Sequence, residues 1–164
     1  PMIDIDGSMH SGSGTLLRYA VALATLRKQA LHISRIRSKR PKPGLRPQHL
    51  SVVKACAALT GATVEGAEVG SQELLYSPGP YLKGGDFQFD IGTAGSATMM
   101  AFSLIPPALG AEAPCRFTIT GGLFQDFGDL SGVIQQRGGT AVKLQHVVRP
   151  NGSRGLILPW GFAQ

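Results

Sequence analysis

Acidic residues are absent from a long stretch near the start of the chain. Residues 7–64 contain no Asp or Glu, although the chain of 164 residues has ten acidic residues in all. The same stretch holds ten of the sixteen basic residues, and apolar residues run through it. The ten are Arg18, Arg27, Lys28, Arg35, Arg37, Lys39, Arg40, Lys42, Arg46 and Lys54. Such a skew within one chain favours a surface for nucleic acid, phosphate or membrane headgroups.

Cysteines and long apolar runs are also scarce. Cys56 and Cys115 have no metal-ligand spacing, so buried free thiols and a cytoplasmic location are expected. No run of eighteen apolar residues predicts a membrane helix, and the first ten residues lack the basic-then-apolar order of a signal peptide. The apolar fraction of 43% and the charged fraction of 16% predict a folded domain.

Hydrophobic periodicity divides the first half of the chain into strands and helices. Period-two alternation predicts four strands, at residues 2–6, 30–36, 63–69 and 73–77. Helical spacing predicts two helices, at residues 15–26 and 48–59, and Thr60-Gly61 ends the second. Between these elements lie a Gly-rich loop, residues 7–14, and a basic loop rich in proline, residues 37–47.

The second half is expected to repeat this order. Alternation predicts strands at residues 86–91, 115–120, 141–148 and 154–158. The last two form a hairpin around the Asn151-Gly152 turn. Helices are predicted at residues 97–105, ending before Pro106-Pro107, and at residues 130–137. Loops are predicted at residues 92–96 (GTAGS) and 121–128.

The order of elements predicts an α+β fold of two βαβαββ repeats. Each repeat is expected to be a four-stranded sheet with two helices on one face. The expected domains are residues 1–82, which contain the basic loop, and residues 83–164. Residues 12–17 match residues 95–100, which favours an internal duplication with a period of roughly 80 residues. Chance similarity between Gly-rich helix starts is the alternative.

Each predicted repeat places a Gly-rich loop directly before a helix. Backbone N–H groups at a helix N-terminus are unpaired and carry the positive end of the helix dipole. Glycines let a phosphate approach that backbone, so the pattern points to an anion site. The candidate residues are Gly12, Gly14, Gly92, Gly95 and Ser96. The alternative is an ordinary strand-to-helix turn with Ser13 or Thr15 as its N-cap.

The basic loop is a second candidate for phosphate contact. Its prolines restrict the backbone, which reduces the entropy lost when a ligand binds. Alternation along residues 30–37 places Arg35 and Arg37 on one face, and guanidinium groups bind phosphate at two points. No zinc-finger spacing or aromatic pair marks a base-reading module, so sequence-independent phosphate contact is expected. A solvated basic loop without a ligand is the alternative.

At these residues the chain resembles the RNA 3′-terminal phosphate cyclase family. The matching segments cover roughly residues 3–122, and RPKPGLRPQHL (residues 40–50) and DIGTAGS (residues 90–96) are the most specific. The resemblance implies βαβαββ repeats related to those of the enolpyruvyl transferases. It also implies ATP-dependent conversion of an RNA 3′-phosphate to a 2′,3′-cyclic phosphate, through a covalent histidine–AMP intermediate and a divalent metal, Mg or Mn.

The resemblance assigns nucleotide- or phosphate-binding roles to particular positions. The family's arginine at the start of the first helix matches Arg18, and its two basic-loop arginines match Arg37 and Arg40. Its glutamine before the His-Leu pair matches Gln48. The family's acidic residue in the first Gly-rich loop, implicated in metal and nucleotide binding, falls on Ser11. ATP and RNA 3′ ends are therefore the implied ligands, with a metal ligand replaced by serine.

The resemblance also implies parts that this sequence does not contain. Family members run longer, with a third repeat, an inserted small domain and a nucleophilic histidine in the C-terminal part. His10, in the Gly-rich loop, is the candidate catalytic residue here, and a solvent-exposed loop histidine is the alternative. His32, His49 and His146 are expected to be structural or surface residues. A two-repeat chain is expected to leave an apolar face, which self-association as a homo-oligomer would cover.

Three functions remain open from the sequence. The first is a shortened cyclase, or a remnant that still binds ATP and RNA ends. The second is a non-catalytic RNA- or phosphate-binding module that has lost the nucleophilic histidine. The third is a small-molecule phosphate transferase or binding protein with the related enolpyruvyl-transferase architecture. A ligand rich in phosphate is common to all three.

Overall fold

The structure, a computed structural model, describes residues 1–113, 115–122, 132–135, 140–148 and 154–162. The first half contains β1 (Ile3–Asp6), α1 (Gly14–Arg27), β2 (Leu31–Ser34), α2 (Pro47–Thr60), β3 (Thr63–Glu65) and β4 (Leu74–Ser77). The second half contains β5 (Gly85–Ser96), α3 (Ala97–Leu109), β6 (Cys115–Gly122), β7 (Gly132–Gln135), β8 (Thr140–Val148) and β9 (Arg154–Phe162). The chain is therefore a mixed α and β protein, as predicted.

The first sheet has the strand order β1-β2-β4-β3. Strands β1 and β2 are parallel, with Asp6 opposite Ser34, and β4 pairs antiparallel with both β2 and β3. The first half thus has the predicted order βαβαββ. Its helices also begin and end close to the predicted residues, and Gly61 ends α2 in the left-handed conformation at φ 66°.

The second sheet has the order β5-β6-β9-β8-β7 and differs from the predicted repeat. The helix predicted at residues 130–137 is wrong at residues 132–135, because β7 pairs antiparallel with β8 there. The β-branched residues Val133 and Ile134 suit a strand, and pairing with β8 overrides the short helical spacing. The described part of this half has one helix and five strands, so the second βαβαββ repeat is not confirmed. The predicted hairpin of β8 and β9 is confirmed.

The predicted loop at residues 92–96 is part of β5. Gly92 pairs with Gly121 and Ser96 pairs with Gly122, with register shifts on either side of Gly92. Glycine tolerates the irregular backbone that such shifts require, so the strand continues where its composition predicted a loop. The first two residues of the predicted loop at 121–128 also lie in β6, and residues 123–128 lie outside the described residues.

Helix α3 continues through the two prolines that were predicted to end it. Pro106 and Pro107 lie inside the helix, which runs to Leu109. Each proline removes one backbone donor, but Leu104 and Ala108 on either side are buried in the core. Packing of this face against the rest of the protein thus offsets the lost hydrogen bonds.

A single core joins residues from both halves of the chain. Leu17, Val53, Leu82, Met100 and Phe117 belong to the same buried cluster. The core therefore crosses the predicted boundary between residues 82 and 83, and the division into two domains stays a prediction. None of the helices in the described residues has the length and apolar character needed to cross a membrane.

Both cysteines are buried in this core as free thiols, as predicted. Burial raises the pKa of Cys56 to about 12 and that of Cys115 to about 11. Both thiols therefore stay protonated at neutral pH, which makes them poor nucleophiles and metal ligands.

Candidate functional site

The carboxyl ends of β1 and β2 bring two loops to one edge of the first sheet. The Gly-rich loop follows Asp6, and the segment that leads to the basic loop follows Ser34, its partner in the register. The Gly7 N–H donates to the Ser34 carbonyl at 2.7 Å, and a Cβ at Gly7 would lie 2.9 Å from that oxygen. Ligands of sheets with parallel strands commonly bind outside such carboxyl ends.

The two loops end at the starts of α1 and α2. Ser13 is the N-cap of α1, but its side chain makes no capping hydrogen bond. The N-cap of α2 is Arg46, whose guanidinium group has no acceptor atom. Neither helix has an acidic residue in its first turn. Ser13 is thus the N-cap residue that the alternative predicted, but its side chain does not satisfy the first backbone N–H groups of α1.

His49 packs between the two helix starts. Its Nδ1 accepts a hydrogen bond from the Arg46 backbone N–H at 3.0 Å, and the side chain is only 3% exposed. A Cβ at Gly14, the first residue of α1, would overlap the His49 ring. Glycine at position 14 therefore allows α1 to approach α2, and His49 is a structural residue as predicted.

Four arginines, Arg18, Arg37, Arg40 and Arg46, form an arginine cluster around this contact. Burial, followed by the charges of Arg18, Arg37 and Arg46, lowers the pKa of His49 to about 4. Burial, followed by the charges of Arg40 and Arg46, also lowers the pKa of Arg37. His49 is therefore neutral at physiological pH, and the cluster carries a concentrated positive charge.

The basic loop is held in place by hydrogen bonds from its own arginines. Arg37 Nη1 donates to the carbonyls of Lys42 at 2.9 Å and Gly44 at 2.8 Å. Arg40 Nη2 donates to the Ser11 carbonyl at 3.2 Å and so connects the basic loop to the Gly-rich loop. The arginines thus have a structural part as well as a charge that a ligand can use.

Arg35 and Arg37 do not share one face, in contrast to the prediction. Strand β2 ends at Ser34, and both arginines adopt the left-handed conformation at φ 50°. This turn sends Arg35 toward Asp6, while Arg37 bonds within the basic loop. The alternation behind this prediction runs to Arg37, three residues beyond the end of the strand.

Asp6 is the acid that precedes the acid-free stretch, and its charge is already engaged. Its carboxylate accepts hydrogen bonds from the Ser8 hydroxyl at 2.7 Å and the Ser8 N–H at 2.9 Å, and it forms an ion pair with Arg35. These bonds, those from Ser8 foremost, lower the pKa of Asp6 to about 2. Arg35 therefore takes up the nearby negative charge, and the arginine cluster keeps its positive charge.

Arg18 is the residue that most clearly lacks a partner. Its Nε is buried and has no hydrogen-bond partner among the described residues, while its Nη2 donates to Thr15 Oγ1 at 3.2 Å. Burial lowers the pKa of Arg18. No ion pair to Arg18 occurs in the part of the chain that the structure describes. A half-buried cation whose Nε lacks an acceptor among the described residues is costly, which points to an anionic ligand.

The structure brings together several residues predicted from the sequence. Gly14, Arg18, Arg37, Arg40 and Gln48, the second residue of α2, belong to the joined loops and helix starts. Arg46 was missed as a site residue, although its position before Pro47 marks it as an N-cap.

The other predicted site residues are less closely tied to the arginine cluster. Gly12 is buried in the Gly-rich loop at φ 55°, and His10 is exposed in the same loop at φ 53°. Gly92, Gly95 and Ser96 lie at the end of β5, before α3. Their part in a phosphate site stays a prediction.

The described residues form no preassembled site for a divalent metal, and the expected Mg or Mn stays a prediction. They contain no group of three or more His, Cys, Asp or Glu side chains that could hold one. Ser11 has no carboxylate, and the Asp6 carboxylate is paired with Arg35. Hard cations such as Mg²⁺ prefer carboxylate oxygens, and an arginine cluster repels them.

Comparison with known proteins identifies the family. The sequence model described as RNA 3′-terminal phosphate cyclase matches residues 9–143. The chain belongs to this family. The matched region contains the arginine cluster, the basic loop and most of the Gly-rich loop. The similarity between this chain and the family therefore includes the site described above.

Individual cyclases show the same similarity. The chain is 50% identical over 121 residues to the RNA 3′-terminal phosphate cyclase of Nitrosospira multiformis, and 49% identical over 121 residues to that of Pyrococcus furiosus. The cyclase of Ralstonia nicotianae is 48% identical over 122 residues. Each match covers 74% of this chain and 34–35% of the relative. The chain thus matches about a third of the length of these curated cyclases.

Proposed function

We propose that this chain binds RNA 3′-phosphate ends and ATP in an RNA 3′-terminal phosphate cyclase reaction, the ATP-dependent formation of a 2′,3′-cyclic phosphate. The observation that carries this proposal is Arg18, a half-buried cation whose Nε lacks a partner among the described residues. The same region holds three further arginines and the starts of α1 and α2, and Ser13 at the start of α1 makes no side-chain capping bond. Membership of the cyclase family supplies the substrate class.

The charges of the site suit a terminal phosphate. A phosphate monoester carries roughly −1.5 to −2 charges at neutral pH. Arg18 and Arg40 can share its oxygens with the backbone N–H groups at the starts of α1 and α2. Cyclisation starts from a 3′-phosphate to which AMP from ATP has been joined: the ribose 2′ oxygen gives up its proton and attacks the phosphorus, and the bond to AMP breaks. Fixed cations stabilise the charge that develops there. Gln48, at the start of α2, can donate an amide hydrogen bond to the same ligand.

Binding of ATP also needs cations, because the phosphates of ATP are anionic. His10 is our candidate nucleophile, because it is exposed in the Gly-rich loop beside Ser11, whose carbonyl accepts from Arg40. No step through a metal ion is proposed, because the described residues lack the ligands for one.

A second function is a non-catalytic RNA- or phosphate-binding module. Two observations favour it: Ser11 stands where the family resemblance implies an acidic residue, and His10 has no hydrogen-bond partner among the described residues that would orient it for attack. Such a module would bind the same ligands at the arginine cluster without turning them over.

One experiment separates the two functions. The chain is incubated with ATP labelled on the α-phosphate and with RNA carrying a 3′-phosphate, and covalent AMP and cyclic ends are measured. The cyclase predicts both products, with loss of both in His10→Asn but not in the control His32→Gln. RNA binding without either product, at high protein concentration, would exclude the cyclase and favour the binding module.

A further inference from the structure

A cavity outside the arginine cluster lies between α2 and β5. Its volume is about 310 Å³. Helix α2 contributes Ser51, Lys54 and Ala55, β5 contributes Gln88, Phe89 and Asp90, and α3 contributes Met100. The volume is at the small end of the range for ligand pockets, so one ring system fits better than a whole nucleoside triphosphate.

The walls of the cavity combine apolar surface with both kinds of hydrogen-bonding group. Phe89 and Met100 supply apolar surface, and the Phe89 ring is stacked 6.2 Å from Phe87 between centroids. Lys54 and the Gln88 amide N–H can donate hydrogen bonds, and the oxygens of the Gln88 amide and the Ser51 hydroxyl can accept them. The charges of Lys54 and Asp90 oppose each other, so the cavity does not attract phosphate as the arginine cluster does. A flat ring with donors and acceptors at its edge matches these walls.

The cavity and the arginine cluster are connected by α2, whose N-cap is Arg46. Gln48, Ser51 and Ala55 lie three and four residues apart in sequence and so follow one side of the helix. At about 1.5 Å per residue, Ser51 and Ala55 lie roughly 5 and 10 Å along the helix from Gln48. This separation is on the scale of a single nucleotide, from its phosphate to its base.

We propose that this cavity is a base pocket for the nucleotide at the RNA 3′ end, whose phosphate lies at the arginine cluster. The inference rests on the proposed function and adds a subsite to it. A 3′-phosphate is attached directly to its nucleoside, so its base can reach a cavity one to two helical turns away. In ATP a longer triphosphate separates the base from the terminal phosphate, which makes ATP the less suitable occupant.

The test compares four probes by isothermal titration calorimetry: inorganic phosphate, uridine, uridine 3′-monophosphate and ATP. We expect uridine 3′-monophosphate to bind roughly tenfold or more tighter than inorganic phosphate, the scale of one base stacked on an aromatic side chain. Ser51→Phe, which fills the cavity, should remove this advantage and leave the affinity for inorganic phosphate unchanged. Ala58→Phe, on an exposed position of the same helix, is the matched control and should change neither.

Three results would overturn the base pocket. The first is that the wild type binds inorganic phosphate and uridine 3′-monophosphate with equal affinity. The second is that Ser51→Phe and Ala58→Phe change the affinity for uridine 3′-monophosphate equally. The third is that Ser51→Phe lowers the affinity for ATP alone. Uridine without phosphate separates this inference from the proposed function. If uridine binds and Ser51→Phe abolishes its binding while inorganic phosphate never binds, the pocket stands and the phosphate site fails. Gln88→Ala, at an exposed strand position, replaces Ser51→Phe should that variant not fold, and should lower uridine 3′-monophosphate affinity alone.

Discussion

At the residue scale, the site is built from cations that lack acidic partners. Arg35 is paired with Asp6, whereas Arg18 keeps a buried Nε without an acceptor among the described residues. Arg37 and Arg40 satisfy backbone carbonyls and still carry their charge. Half-buried charges without an acidic partner cost folding stability, so under the proposed function removing one should affect ligand affinity and stability in opposite directions.

Arg18→Gln is the direct test of this trade-off. Loss of a charge-assisted contact should lower the affinity for inorganic phosphate about tenfold or more. Tm should stay the same or rise, because the variant removes a half-buried charge that forms no ion pair with the described residues. Calorimetric titration and thermal unfolding measure the two effects, with Arg27→Gln at the exposed end of α1 as control. Unchanged affinity together with a lower Tm would make Arg18 a structural residue.

His32 gives a second prediction at this scale. Its Nδ1 lies 2.8 Å from Asp4 Oδ1 and its Nε2 lies 2.8 Å from Glu73 Oε1. The hydrogen bonds with Glu73 and then Asp4 raise the pKa of His32. Because the pKa is raised in the folded state, the interactions of His32 with Asp4 and Glu73 stabilise the protein fully below about pH 6.5, the usual pKa of histidine. This contribution is lost as the pH rises through the pKa of His32 in the folded protein.

Urea unfolding of the wild type and His32→Gln across this range measures the effect. The wild type should be more stable than the variant below about pH 6.5, and the difference should shrink steadily at higher pH. A stability difference that does not change with pH would show that His32 stays neutral between its two carboxylates.

At the scale of elements, the site depends on how closely α1 approaches α2. Gly14 leaves no room for a side chain beside the His49 ring, and His49 accepts from the Arg46 backbone. This contact sets the separation of the two helix starts, and hence the geometry of the arginine cluster between them.

A double-mutant cycle tests the contact. Gly14→Ala should lower Tm and phosphate affinity together, because the methyl group overlaps the imidazole ring and pushes α1 away. His49→Asn keeps an acceptor for the Arg46 N–H and opens space, so Gly14→Ala should cost much less in that background. The expected coupling is about 1–3 kcal/mol by chemical denaturation. Additive effects of the two substitutions would show that this contact does not set the separation of the two helix starts.

Local patterns in the sequence predicted α1, α2 and the end of α2 at Gly61, because spacing and a glycine cap are contained within each segment. Long-range pairing explains the errors. Strand β7 forms because β8 lies beside it, and the glycines of residues 92–96 join β5 through β6. The contact between Gly14 and His49 joins residues far apart in sequence, so no local pattern predicts it. Arg18 was assigned by family resemblance, but its unpartnered Nε emerges only from the fold.

At the scale of the whole molecule, apolar residues remain on the outer side of α1. Tyr19 is 43% exposed and Leu23, one turn later, is 48% exposed. Exposed apolar side chains on one helix face are consistent with the sequence-based prediction of self-association, which stays a prediction. Sedimentation velocity should show an oligomer whose fraction grows with concentration, and Leu23→Lys should shift it toward monomer. A monomer at every concentration would contradict the prediction.

The acid-free stretch gives the molecule its central property. The helix starts, the Gly-rich loop and the basic loop all lie within residues 7–64, so folding gathers their cations at one edge of the first sheet. Because these cations form few ion pairs among the described residues, they support the proposed recognition of a terminal phosphate rather than of RNA in general.

The most direct measurement compares one RNA oligonucleotide with a 3′-phosphate and with a 3′-hydroxyl, titrated against the wild type and Arg18→Gln at two salt concentrations. The account predicts that the wild type binds the 3′-phosphate form about tenfold tighter, and that Arg18→Gln removes most of this difference. Salt should weaken both forms, because the remaining phosphates also bind the basic surface. Equal affinity of the wild type for the two ends would contradict the central claim.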